Sequence, residues 1–255
     1  MRASETVDPR VVALVTGAAG AIGSATVRLF LDVGFDVVGL DRDPAVASVA
    51  TRNYTGICVD LQDEAALASA VDTVRSRGRL SHIIAVAGGA LPAEPRTQDD
   101  PATLDPQLFR SSIDANLTTQ FLTLHAALPW LRCNPNVDRS VTFTSSFNAL
   151  TGCGMPAYSA AKAGLIGMMH ALAGPLGAEG IRTNVVAPGT VRTPRTERLW
   201  AHEPAHFEQL EATTALGRLA TPEDVGRTFL ALATLLTHVT GQVIVVDGGQ
   251  MVKRG

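Results

Sequence analysis

Tyr158 and Lys162 stand four residues apart in Tyr158-Ser159-Ala160-Ala161-Lys162. On a helix that spacing puts both side chains on one face. A free phenol titrates near ~10, too high for a base at neutral pH. An ammonium beside it stabilises the phenolate and lowers that value. Such a tyrosine can take a proton from an alcohol or give one to a carbonyl. The pair alone is also a common surface arrangement, so its neighbours decide its meaning. Ser145 and Ser146 follow the apolar run Ser140–Thr144. A hydroxyl at a strand end can hold a substrate oxygen beside the tyrosine. Asn116, in Asp114-Ala115-Asn116-Leu117, reads by itself as a polar residue inside a helix.

A second constellation lies near the start. Thr16-Gly17-Ala18-Ala19-Gly20-Ala21-Ile22-Gly23 follows an apolar run and opens a helical pattern. Glycines there permit a tight turn and close approach to a pyrophosphate, and the helix N-terminus offers free N–H groups. Eighteen residues past Gly23 stands Asp41. A carboxylate at this point can accept both hydroxyls of an adenosine ribose and would repel a 2′-phosphate, which favours NAD over NADP. Arg42 follows at once and could stabilise a phosphate, so NADP stays open. Asp60-Leu61 closes a further strand, where Asp60 can meet an adenine amino group or cap the helix at Glu64.

These residues need elements to position them. Short runs rich in Val and Ile alternate with helical patterns. The predicted strands are Val11–Thr16, Asp36–Leu40, Gly56–Val59, His82–Ala87, Ser140–Thr144, Arg182–Ala187 and Gln242–Val246. Helices are expected at about Ala21–Val33, Glu64–Arg77, Pro106–Leu131, Pro156–Ala178 and Pro222–Leu235, with Pro156 and Pro222 suited to a first turn. The alternation predicts one α/β domain: a doubly wound, seven-stranded parallel sheet with helices on both faces. Residues 1–9 read as a flexible tail before a single domain at 10–255.

Composition narrows the function classes. The 255 residues are 46% hydrophobic and 18% charged, with net charge -3 and scattered basic residues. That offers no electrostatic footprint for nucleic acid or an anionic membrane. No apolar run approaches a membrane span, and residues 1–9 carry no signal-peptide core. Cys58, Cys133 and Cys153 are too scattered for a metal or disulfide framework. They read as small buried residues and reduced thiols, hence a cytoplasmic chain.

Taken in order, Thr16–Gly23, Asp60-Leu61, Ala87-Gly88, Asn116, Ser146, Tyr158, Lys162, Pro188-Gly189 and Val245-Val246-Asp247-Gly248-Gly249 resemble the short-chain dehydrogenases/reductases, in their single-domain branch. The resemblance runs from Val11 to Gly249. It implies Tyr158 as general acid/base and Lys162 as its activator and a ligand of the nicotinamide ribose. It implies Ser146 polarising the substrate oxygen, and Asn116 holding a water that links Lys162 to solvent. Gly17, Ala19, Ile22, Gly23, Asp41, Arg42, Asp60, Leu61, Ala87 and Gly88 would line the cofactor. Pro188-Gly189 would pass the nicotinamide, with Val191 and Thr193 anchoring its carboxamide. The substrate would be a small alcohol, ketone or 3-oxoacyl compound, and the assembly a homotetramer or homodimer.

Three departures stand out. Ala21 replaces the middle glycine of the usual loop. Ala85-Val86-Ala87-Gly88 lacks the two asparagines that brace the family's fourth strand, so other contacts must satisfy that backbone. Ser146 precedes Tyr158 by twelve residues rather than the commoner thirteen. Strand-end alignment selects Ser146, and strict spacing selects Ser145. A substrate lid is expected at about Arg192–Leu216, with Leu199, Trp200, Phe207 and Leu210 as apolar candidates. Phe147, Asn148, Leu150, Cys153 and Met155 would form the opposite wall. His202 and His206 in the lid have metal-pair spacing but no third ligand, so no metal is expected. The alternatives are an NADP(H)-dependent carbonyl reductase, a non-catalytic NAD-binding regulator, and an enoyl reductase of the same superfamily. The last would carry a wider Tyr-to-Lys spacing.

Overall fold

The computed structural model describes residues 10–48, 51–92, 94, 100–152, 154–199, 201 and 204–252. The predicted tail at residues 1–9, Cys153, Trp200 and His202 lie outside them.

Seven strands form one parallel sheet: β1 (Val11–Thr16), β2 (Asp36–Asp41), β3 (Tyr54–Cys58), β4 (Arg79–Ala85), β5 (Arg139–Thr144), β6 (Ile181–Pro188) and β7 (Val243–Val246). Their order is β3-β2-β1-β4-β5-β6-β7. The order reverses between β1 and β4, so a crevice opens there beyond the C-terminal strand ends. β1 is an apolar run and β5 is buried throughout although it carries Arg139, Ser140, Thr142 and Thr144, because helices cover both faces of the sheet.

On one face, α2 (Glu64–Arg77), α4 (Thr119–Arg132) and α6 (Pro156–Ala178) bury Leu67, Val71, Leu124, Leu131, Leu165 and Met169 against the sheet. On the other, α1 (Ala21–Asp32) and α9 (Pro222–Thr234) bury Phe30, Val225, Phe229 and Leu232. Pro156 and Pro222 occupy first turns, as expected. Thr221 and Asp224 close a reciprocal capping box on α9.

Several expectations shift. The helix predicted at Pro106–Leu131 is α3 (Pro106–Ile113), a π turn at Asp114–Thr118 and then α4. β3 starts earlier than predicted, because Tyr54 and Thr55 pair with Val37 and Val38. β4 runs from Arg79 and stops at Ala85. Val86 and Ala87 leave the ladder because their N–H groups donate to Thr16 Oγ1 at 3.1 and 3.2 Å. Asp60 does not cap α2. Asp63 does, accepting from Ala66 N–H at 3.0 Å. Cys58 and Cys133 are exposed thiols, not core residues. Two further short helices, α5 (Asn148–Thr151) and α7 (Pro194–Leu199), flank the crevice, and α8 (Pro204–Ala212) follows α7. Among the described residues, no helix is long and apolar enough to cross a membrane.

Candidate active site

The crevice between the ends of β1, β4, β5 and β6 gathers both constellations. The glycine loop joins β1 to α1. Gly17 adopts φ +66°, a left-handed conformation that a side chain would strain. A Cβ at Gly23 would collide with the Gly17 carbonyl, so the helix start packs directly on the loop. Gly20 is the N-cap of α1 and brings no capping side chain. The helix therefore presents its N-terminal dipole and first N–H groups to the crevice, which suits the diphosphate of a dinucleotide. Ala21, in place of glycine, is accommodated as the first residue of α1.

Asp41, at the end of β2, accepts from Ala19 N–H at 3.0 Å and from Asp43 N–H at 2.9 Å. It braces the loop while keeping its charge beside it, and no described Lys or Arg forms an ion pair with it. Arg42 is exposed. Asp60 is exposed and accepts from Gln62 N–H at 3.0 Å, with Leu61 buried next to it. The donors and acceptors these residues present fit an adenosine diphosphate half.

The missing asparagines of the fourth strand are replaced by a glutamine. Gln120, fully buried on α4, donates to Ala87 O at 3.3 Å and Thr144 O at 3.1 Å and accepts from Thr144 N–H at 3.0 Å. It ties the ends of β4 and β5 together. Its spacing of four from Asn116 was a readable sign of a shared face.

Asn116 is also fully buried, on the π turn. Such insertions recur at functional sites because they re-aim side chains. Its Oδ1 accepts from Gly89 N–H at 2.7 Å, and its Nδ2 donates to Gly89 O at 3.2 Å and Ser112 O at 3.0 Å. The carboxamide thus holds the loop at Gly88 and Gly89. A Cβ at Gly88 would lie 2.7 Å from Asn116 Oδ1 and 3.2 Å from Lys162 Nζ. Where the resemblance implies a water-holding asparagine, these contacts are with main chain beside Lys162.

α6 carries Tyr158 and Lys162. Lys162 is 2% exposed, and its ammonium donates to Thr144 O at 2.8 Å. It lies 5.6 Å from the centroid of the Tyr158 ring. Burial lowers its pKa to about 7. Burial also pushes the Tyr158 phenol above its ordinary value, and Glu94 adds to that rise. A hydrogen bond with Ser146 and the charge of Arg195 oppose it. The sequence-based expectation was a phenol depressed by the lysine. Within the protein alone, burial outweighs the Ser146 hydrogen bond and the Arg195 charge, and it penalises phenolate and ammonium alike.

The two serines separate cleanly. Ser145 Oγ donates to Lys162 O at 2.7 Å, pinning β5 to α6. Ser146 Oγ accepts from Asn148 N–H at 3.2 Å and faces the phenol.

Glu94 was not foreseen. It is 4% exposed and accepts from Tyr158 N–H at 2.6 Å and from the Ser112 hydroxyl at 3.2 Å. The N-cap of α6 is Met155, in a left-handed conformation with no capping side chain. Glu94, 64 residues upstream, supplies the missing acceptor. No local sequence signal marks it.

Pro188 O accepts from Phe147 N–H at 2.8 Å, and Gly189 N–H donates to Val246 O at 3.0 Å. Val191 is buried and bridges to Ala220. Thr193 exchanges hydrogen bonds with Thr196 at the start of α7. In the predicted lid, Phe207 is buried under the Arg192 guanidinium at 4.9 Å, whereas Leu216 is 69% exposed. Across the crevice, Phe147, Asn148 and Met155 are half-buried and Leu150 is exposed. Among the described residues, no group of three His, Cys, Asp or Glu side chains is arranged to hold a metal.

Comparison with known proteins agrees with this geometry. The family profile described as enoyl-(acyl carrier protein) reductase matches residues 17–251. An uncharacterized oxidoreductase of Schizosaccharomyces pombe is 34% identical over 96% of this chain and 92% of its own. Cis-4-hydroxycyclohexanecarboxylate dehydrogenase of Sinomonas cyclohexanicum is 33% identical over 93% of this chain and 95% of its own. The solved structure of an oxidoreductase of the short-chain dehydrogenase/reductase family from Burkholderia thailandensis superposes with a TM-score of 0.84 at 37% identity, covering 96% and 94% of the two chains. With its parallel sheet, glycine loop and Ser-Tyr-Lys grouping, the chain belongs to the short-chain dehydrogenase/reductase family of oxidoreductases.

Proposed function

We propose that the protein is an NAD(H)-dependent dehydrogenase that interconverts a small alcohol and its carbonyl compound. One observation carries this reading. Ser146, the Tyr158 phenol and the buried Lys162 ammonium converge at the strand ends, on the same crevice as the glycine loop. The spacing of four between Tyr158 and Lys162 favours alcohol-carbonyl chemistry over enoyl reduction.

A bound nicotinamide would accept the hydride from the carbinol carbon, or return it in the reverse direction. Ser146 Oγ holds the substrate oxygen. Tyr158 Oη takes the hydroxyl proton in oxidation and gives it back in reduction. Lys162, held by Thr144 O, stabilises the phenolate. Asn116 and Gln120 act as positioning residues for the β4 loop, and Glu94 for the start of α6. The described residues of 192–199 and 204–216 are proposed to form the substrate lid. Asp41 supports NAD, because a carboxylate with no basic partner among the described residues would repel a 2′-phosphate. The exposed thiols of Cys58 and Cys133 fit a reducing, cytoplasmic setting.

The test is Tyr158→Phe, which keeps the ring and removes the proton that must move. On the best substrate of an alcohol and ketone panel, kcat falls by at least about a hundredfold. NAD affinity, measured by calorimetry, stays near the wild-type value. Near-normal turnover by the variant would overturn the mechanism.

A further inference from the structure

The mouth of the crevice carries a cation that the chemistry above does not use. Arg195 is the second residue of α7, and its side chain is exposed. It reaches back across the β4 loop, where its guanidinium donates to Ala90 O. It also lies against Gly89, where any Cβ would collide with it. Gly89 has φ +145°, and its other side is held by Asn116. Glycine at this point therefore admits the guanidinium next to the loop that flanks Lys162.

The charge of Arg195 is not neutralised within the described protein. Two other arginines of this region have acidic partners: Arg192 pairs with Glu197 at 3.5 Å and Glu211 at 3.2 Å, and Arg218 pairs with Asp224 at 2.6 Å. No described carboxylate forms an ion pair with Arg195. Glu94, the acid nearest the phenol, spends one oxygen on Tyr158 N–H and the other on Ser112. A guanidinium has five N–H donors in a planar fork. With one spent on Ala90 O, the rest can meet a planar anion two-pronged.

We propose that Arg195 receives a carboxylate of the substrate, so that the substrate class is hydroxy acids and their oxo-acid products rather than neutral alcohols. This rests on the reading that Tyr158 exchanges the proton of the carbinol. The anion would anchor at Arg195 while the carbinol lies between Ser146 and Tyr158. The charge of Arg195 already reaches the phenol, lowering its pKa against burial, which places the two groups in one electrostatic environment. A substrate carboxylate would partly cancel that effect, so alcohol oxidation of acids should rise at higher pH than oxidation of their esters.

The experiment compares matched pairs: 3-hydroxybutyrate and 4-hydroxycyclohexanecarboxylate, each against its methyl ester. Wild type is expected to favour an acid over its ester in kcat/KM by about 10- to 100-fold, the range of a hydrogen bond to a charged group. In Arg195→Met the acid-to-ester ratio falls toward one, mostly through KM. Arg195→Lys, which keeps the charge but not the fork, restores part of it. A second arm needs no turnover. Cyclohexanecarboxylate, which has no carbinol, should raise the melting temperature of NAD-loaded wild type but not of Arg195→Met, and its methyl ester should raise neither. Arg195-dependent protection without oxidation of any alcohol would uphold the carboxylate site and overturn the dehydrogenase reading. Turnover of alcohols with an acid-to-ester ratio that Arg195→Met leaves unchanged would overturn the carboxylate site alone.

Discussion

Alanine at each of the adjacent serines should produce two different proteins. Ser145 is 2% exposed, and its hydroxyl makes a 2.7 Å hydrogen bond to Lys162 O. Removing one buried hydrogen bond costs about 1 kcal/mol. In a protein of this size that lowers Tm by roughly 2–4 °C. Lys162 O lies in the interior of α6 and keeps its helical partner, so the cost belongs at the low end. Ser145→Ala should therefore keep kcat/KM within about threefold, less than 1 kcal/mol at the transition state. Ser146 is different. Its hydroxyl faces the phenol and opposes the rise that burial imposes there. Losing a donor aimed at developing negative charge costs about 10²- to 10³-fold in kcat. Ser146→Ala should show that loss with a Tm close to wild type, and its oxidation rate should climb at higher pH as the phenol shifts further up. Steady-state nicotinamide absorbance gives the rates, and thermal melts give the stabilities. Inactivation by Ser145→Ala with activity surviving Ser146→Ala would refute the assignment of the two hydroxyls.

Four further outcomes are expected. Lys162 is buried with its pKa lowered to about 7 from 10.5, so the unfolded chain binds the extra proton between those values and stability falls as pH drops through that window. Lys162→Met should abolish activity yet raise Tm at pH ~7, since the shift corresponds to roughly 4–5 kcal/mol against about 1.5–3 for the lost bond to Thr144 O; a lower Tm would contradict the desolvation argument. His82 is buried between Phe30 and Phe35, with Ser140 Oγ 2.9 Å away, and burial lowers its pKa to about 4 from 6.5. Wild type should lose about 3 kcal/mol between those pH values, read from urea midpoints, and His82→Gln should flatten that slope. Asp41→Asn keeps an acceptor for Ala19 N–H but removes the charge, so an NAD-over-NADP preference of at least about tenfold in kcat/KM should shrink toward one. A homotetramer is expected, with the region of α3, α4 and α6 as its contact surface, where Phe109 and Phe121 are 38% and 48% exposed; a monomeric mass in light scattering at micromolar protein would exclude it.

Local pattern alone made much of this protein legible. Strand-helix alternation specifies the doubly wound sheet, because strands covered on both faces run largely apolar, as β1 does, although β5 buries four polar or charged residues. The glycine loop, Asp41 and the Tyr158-Lys162 spacing were readable because each depends on residues close in sequence. What sequence left undecided depends on contacts between distant segments. Ser145 and Ser146 differ only in which neighbour each hydroxyl meets, and that neighbour is set by how α6 lies on β5. The π turn that aims Asn116 and the Gln120 brace exist only once α4 packs against the ends of β4 and β5. Glu94 caps α6 from 64 residues away, and Arg195 reaches Ala90 across 105. Even the pKa balance at Tyr158 is a tertiary property. Sequence shows the lysine that would lower it, whereas the burial that raises it arises only when both side chains are enclosed by the folded chain.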